Sequence, residues 1–219
     1  MIRSMLVLAL SLAVAGCGET EPAKAPASAN ASRNALAEAS PPAPLGDTVS
    51  VRLETELGPI VLALDHEHAP VTTANFVAYI DQHRFDGTSF YRAARTEGFA
   101  RRGFIQGGIR RDYRLMLPPI AHEPTSATGI RHGVGTISMA RREDGPGAMG
   151  DFFITTDAMP QMDAGRGREG FAAFGRVTEG MDVVRRILAA PTVANAGRGA
   201  MRGQMITAPV RILSARRVE

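Results

Sequence analysis

From Thr48 to the end of the chain, the apolar residues fall into short runs, each soon broken by glycine, proline or a polar pair. That punctuation restricts the fold more than any other feature, because it leaves little room for long helices or for strand–helix alternation. Val49, Val51 and Leu53 alternate with polar residues, Glu56-Leu57-Gly58-Pro59 breaks the run, and Ile60, Leu62 and Leu64 alternate again. This spacing predicts two strands joined by a turn. Further strand-like runs are FDGTSFYR, GFIQ, GVGTISMA, DFFITT, FAAFGRV and the closing PVRILSARRV. Helical spacing occurs in ANFVAYIDQH, entered through Pro70 with Thr72 or Thr73 as cap, and in TEGMDVVRRILAA. The expected class is therefore mainly β: a closed, antiparallel, eight-stranded barrel flanked by two α-helices.

The N-terminus has a different character. Arg3 precedes an apolar run from Met5 to Ala15, too short to span a bilayer but suited to the core of a secretory signal. Val14-Ala15-Gly16-Cys17 follows, and Cys17 is the only cysteine. A thiol at the end of such a run resembles the bacterial lipobox, in which the cysteine is acylated and becomes the new N-terminus. Two or more acyl chains, at about 0.8 kcal/mol per buried CH₂, anchor stably where one does not. From Gly18 to Gly46 the chain is rich in Ala, Pro, Ser and Glu and cannot bury a core. The expected organisation is a signal peptide over 1–16, a lipidated cysteine with a flexible tether over 17–47, and one domain over 48–219. That implies a periplasm-facing, lipid-anchored protein of the bacterial envelope. Gly18 after the cysteine favours the outer membrane, since the residue that commonly signals inner-membrane retention is aspartate.

Charge argues against one class of partner. The net charge is only +3, and the arginine pairs are scattered and interleaved with acids, so nucleic-acid binding is not expected. His66 and His68 lie in a charged turn with no third ligand nearby, which reads as a solvated loop and not a metal site. Ser138 lacks the Gly-x-Ser-x-Gly setting of a nucleophile. What stands out instead is Arg92 and Gln106, isolated polar residues inside apolar runs. Strict alternation puts Arg92 on the side of Phe90, so exposing it calls for a local twist or bulge.

The ordered set TELGPIVLALDHEHAPVTTANFVAYI, FDGTSFYR, FIQGG, GTISMA, DFFIT, FAAFGRVTEGMDVV and the final strand resembles the cyclophilins, the peptidyl-prolyl cis-trans isomerases. The resemblance covers nearly all of the chain from about residue 49. It implies a shallow groove on the barrel's outer face in which Arg92 and Gln106 are catalytic. Tyr91, Phe104, Ala140, Asp151, Phe153, Gln161, Met162 and Phe171 take substrate-binding positions. Asp151, at the position of a second glutamine, is expected within reach of Arg92. Three further positions depart from the family pattern. Gly103 stands where a pocket phenylalanine is common, Phe171 where a histidine is common, and Gln161 where an aromatic residue closes one wall. The implied reaction is rotation about X–Pro bonds in folding envelope proteins. It needs no cofactor and no metal, its partners are proline-containing polypeptides, and a monomer is expected. The alternative is a non-catalytic or weakly catalytic module that holds proline-containing segments.

Overall fold

The computed structural model describes residues 44–110, 112–141 and 147–218, so Cys17 and its surroundings lie outside the described residues. Among the described residues there are nine strands: β1 Thr48–Thr55, β2 Gly58–Asp65, β3 Ser89–Thr96, β4 Phe99–Gly108, β5 Thr136–Met139, β6 Asp151–Thr155, β7 Ala172–Glu179, β8 Thr192–Val193 and β9 Met205–Arg217. They pair in the order β1-β2-β7-β5-β6-β4-β3-β9, and β1 pairs back onto β9. Eight antiparallel strands thus close into a barrel, and β8 is a two-residue addition to β9. Closure removes the exposed sheet edge that an open sheet of short strands would present.

The alternation read from the sequence sets which face is inside. Val51, Leu53, Ile60, Leu62 and Leu64 are fully buried, and the register sets Val51 against Leu62 and Leu53 against Ile60. Phe90, Ile105, Ile137, Phe152, Ile154 and Phe174 complete the barrel interior. Helix α1, Pro70–Asp81, sends Phe76 into this core, where its ring lies 5.2 Å from those of both Phe152 and Phe174. A four-residue helix α2, Thr125–Thr128, was not foreseen in the sequence. Helix α3, Met181–Ala189, buries Val183, Val184, Ile187 and Leu188, and Arg95 of β3 donates to carbonyls at its C-terminal end, Leu188 and Ala190.

The expected cap of α1 is corrected. Neither threonine caps it; the Thr73 hydroxyl instead donates to the Asp65 carbonyl. The free N–H groups of Val71 and Thr72 donate to the two carboxylate oxygens of Glu123, at 3.1 and 2.7 Å. A carboxylate suits a helix N-terminus better than a hydroxyl, because it satisfies two donors and meets the positive end of the helix dipole.

The β3–β4 hairpin departs from regular pairing in two places. Phe90 pairs with Gly107 and Arg92 with Gln106, so Tyr91 is an extra residue in β3. Thr96 pairs with Phe99 while Arg95 pairs with Gly103, which leaves Ala100, Arg101 and Arg102 bulged out of β4. Gly103 has φ +142°, and a Cβ there would lie 1.9 Å from the Ala94 carbonyl oxygen. The pocket phenylalanine common in the family is therefore excluded by the backbone of this hairpin.

Candidate active site

The bulge at Tyr91 resolves the conflict over Arg92. Phe90 stays fully buried in the barrel, and the extra residue turns both Tyr91 and Arg92 to the outer face, where each bonds Gln106. Gln106 alternates with Ile105, which points into the core, so it too faces outward. Arg92 Nη1 donates to Gln106 Oε1 at 2.8 Å, and Arg92 Nε donates to Gln204 Oε1 at 2.8 Å. Gln106 Nε2 in turn donates to the Tyr91 hydroxyl at 2.8 Å. The Tyr91 hydroxyl bonds Asp151, whose Oδ1 also accepts the Arg110 backbone N–H at 2.8 Å. The expected direct pairing of Arg92 with Asp151 is thus replaced by a relay through Gln106 and Tyr91.

Burial pulls the Arg92 guanidinium below its usual pKa. It remains charged, since a guanidinium is effectively never deprotonated in a protein. Burial, together with the nearby Asp151 carboxylate, pushes the Tyr91 phenol far above its ordinary range, so it remains a neutral donor.

Beside the arginine lies a second apolar cluster, separate from the barrel core. Phe104, Phe153, Ala94 and Met159 are buried in it, and Ala140, Met162 and Phe171 pack against them. Phe104 and Phe153 lie 5.2 Å apart, Phe171 meets Phe153 edge-on at 5.4 Å, and the Arg92 Cζ sits 4.9 Å from the centre of the Phe104 ring. A half-buried cationic donor therefore borders an apolar, aromatic patch on the outer face. Of the residues singled out in the sequence, this patch brings together Phe104, Ala140, Phe153, Met162 and Phe171. Gln161 is exposed on the short 3-10 turn Pro160–Met162 and has no part in the relay.

Sequence reasoning missed Ala94 and Met159, which carry no polar signature, and Gln204, which lies 112 positions from the arginine it holds. It also missed a network behind the patch. His132 Nδ1 lies 2.7 Å from Asp163 Oδ1, and its Nε2 lies 3.0 Å from the Ser138 hydroxyl. The order Ser–His–Asp is that of a hydrolase, but all three residues are buried, and the imidazole stacks at 5.7 Å under Phe153. Its role is to support that ring. His68, by contrast, sits in an exposed turn with its Nδ1 on Asp65.

The model for the cyclophilin type peptidyl-prolyl cis-trans isomerase/CLD family matches residues 50–217, which takes in the barrel except the first two residues of β1. The chain belongs to the cyclophilins. Among bacterial members, peptidyl-prolyl cis-trans isomerase A of Dickeya dadantii is 36% identical over 155 residues, covering 70% of this chain and 78% of that protein. The cyp18 isomerase of Streptomyces antibioticus is 36% identical over 153 residues, covering 68% and 88% respectively. A cyclophilin type isomerase of Cryptosporidium parvum, solved in the presence of the dipeptide Ala-Pro, shares the fold, with a TM-score of 0.57 at 19% identity, over 78% of this chain and 99% of that one. As a cyclophilin, the chain is a peptidyl-prolyl cis-trans isomerase.

The support under Phe153 has a pH limit. Burial lowers the His132 pKa from the ordinary 6.5, against the opposing pull of Asp163, so the fold prefers the neutral ring. As pH falls through the unfolded value near 6.5, the unfolded chain takes up this proton before the folded one does, and stability is lost. The loss is at most about 1.4 kcal/mol per pH unit. Urea midpoints measured from about pH 7.5 to about pH 5 should fall for the native protein and fall less for His132→Asn. Parallel curves for the two proteins would contradict this.

Proposed function

We propose that Arg92 is the group that accelerates rotation, and that the cluster of Phe104, Phe153 and Met162 holds the prolyl ring. The carrying observation is the half-buried guanidinium of Arg92, gripped by two glutamines and placed 4.9 Å from the Phe104 ring centre. A proline seated on the patch would bring its nitrogen beside that cation. Amide resonance sets a barrier of about 18–20 kcal/mol to rotation. Lowering a time of about 100 s to about 1 ms requires roughly 7 kcal/mol. Twisting the bond localises the lone pair on the prolyl nitrogen, so an N–H donor aimed there stabilises the twisted state more than the planar one. The donors left on Arg92 for this are both hydrogens of Nη2 and the second hydrogen of Nη1. Gln106 and Tyr91 fix the guanidinium, and Asp151 anchors the far end of the relay. Ala140 lies at the rim, where its N–H is already donated to the Asp151 carbonyl at 2.9 Å.

The substrates in this reading are proline-containing segments of envelope proteins, reached by a monomer held to the membrane through acylated Cys17. The support for the anchor is the Val14-Ala15-Gly16-Cys17 sequence after an apolar leader. The solved Ala-Pro neighbour supports the choice of ligand.

Arg92→Ala should lower kcat/KM for an Ala-Pro peptide by about 10²-fold or more, the scale for losing one aimed donor. Arg92→Lys should not restore it, because a point charge cannot make the same forked contacts. A protease-coupled or NMR exchange assay reads both, and an alanine variant within about threefold of native would remove Arg92 from this role.

For the anchor, growth with a fatty-acid analogue should label the native protein and leave Cys17→Ser unlabelled and released from the membrane fraction. An unlabelled native protein would refute the lipid attachment.

A further inference from the structure

The bond from Arg92 Nε to Gln204 lies outside the relay that leads to Asp151. Gln204 sits just before β9, half-buried, and its main chain is fixed independently of its side chain. The Ala93 N–H donates to its carbonyl at 2.9 Å, and its own N–H donates to the Met201 carbonyl at 3.1 Å. The next residue, Met205, pairs with Arg92 itself in the β3–β9 ladder. Residue 204 therefore stands beside the bulge whether or not its side chain bonds the arginine.

Nε and Nη1 lie on opposite sides of the guanidinium plate. One acceptor alone would leave the plate free to pivot about that hydrogen bond. Two acceptors, Gln106 on Nη1 and Gln204 on Nε, both at 2.8 Å, fix the plate's plane and its rotation within the plane. The unclaimed Nη2 then points in one direction. An arginine side chain has many rotamers of similar energy, and a fixed donor avoids reorganisation in the transition state.

We infer that Gln204 is a positioning residue for this isomerase, setting the direction in which Arg92 presents Nη2 to the prolyl nitrogen. The inference rests on the proposed role of Arg92, and it extends the machinery to the segment leading into β9, which contributes nothing to the apolar patch. Its requirement is narrow: position 204 must supply a hydrogen-bond acceptor at the reach of a glutamine.

Gln204→Met keeps length and bulk but has no comparable acceptor, and Gln204→Glu keeps the acceptor. The methionine variant should lose roughly tenfold in kcat/KM, most of it in kcat with KM little changed. The glutamate variant should stay within about threefold of native. A second readout is independent of turnover. The Arg92 Nε–H, assigned by its absence in Arg92→Ala, should exchange slowly with solvent in the native and Gln204→Glu proteins and rapidly in Gln204→Met. Arg92→Ala is assayed in parallel. If it is inactive while Gln204→Met stays within about twofold of native, Gln204 has no positioning role. If Gln204→Glu is as impaired as Gln204→Met, the acceptor is not what matters, and the inference fails. An active Arg92→Ala would instead remove the role of Arg92 on which the inference rests, and would overturn it at that earlier step.

Discussion

A guanidinium can only donate hydrogen bonds and a carboxylate can only accept them, and the site of this cyclophilin is strung between one of each. Arg92 donates to the Gln106 oxygen, the Gln106 amide donates to Tyr91, and Tyr91 bonds Asp151. Because the two ends each have a single role, the glutamine has one orientation and the phenol one direction of donation. Bonds aligned head to tail also polarise one another in a low-dielectric setting. Asp151 thus meets the arginine only through Gln106 and Tyr91, and its carboxylate takes none of the guanidinium donors.

That line exists only because the backbone departs from regular pairing. In a regular β3 strand, Arg92 would share the side of Phe90, which is fully buried in the barrel. The extra residue at Tyr91 moves the arginine outward and supplies the hydroxyl that bonds Gln106. Gly107, opposite Phe90, completes the arrangement, since a Cβ there would come within 2.8 Å of the Phe90 ring. The second irregularity, before Gly103, removes one family pocket wall. The apolar patch is instead assembled from Phe104, Phe153 and, unexpectedly, Ala94 and Met159.

The barrel was legible in the sequence because strand alternation is local: Val49 to Leu64 shows its buried face without any partner strand. The polar residues Arg92 and Gln106 were legible for a related reason, as exceptions inside apolar runs. Partners brought together by the topology were not. Glu123 caps α1 from 52 positions away, Gln204 reaches Arg92 from 112, and His132 meets Asp163 from 31. No spacing rule connects such residues, since only barrel closure and loop paths make them neighbours. Asp151 shows the intermediate case. Family position put it near Arg92, but the intervening phenol and amide depended on a bulge whose side-chain consequences the sequence does not spell out.

Catalysis in this proposal depends on one piece of geometry: the free edge of Arg92 faces the nitrogen of a proline seated on the Phe104–Phe153–Met162 patch. The most direct test is a high-resolution structure of this protein with a short Ala-Pro-containing peptide. The prolyl ring should rest against those three side chains, with Arg92 Nη2 about 3 Å from the prolyl nitrogen and both glutamine bonds intact. A ring bound elsewhere, or a guanidinium turned away from the prolyl nitrogen, would contradict that geometry.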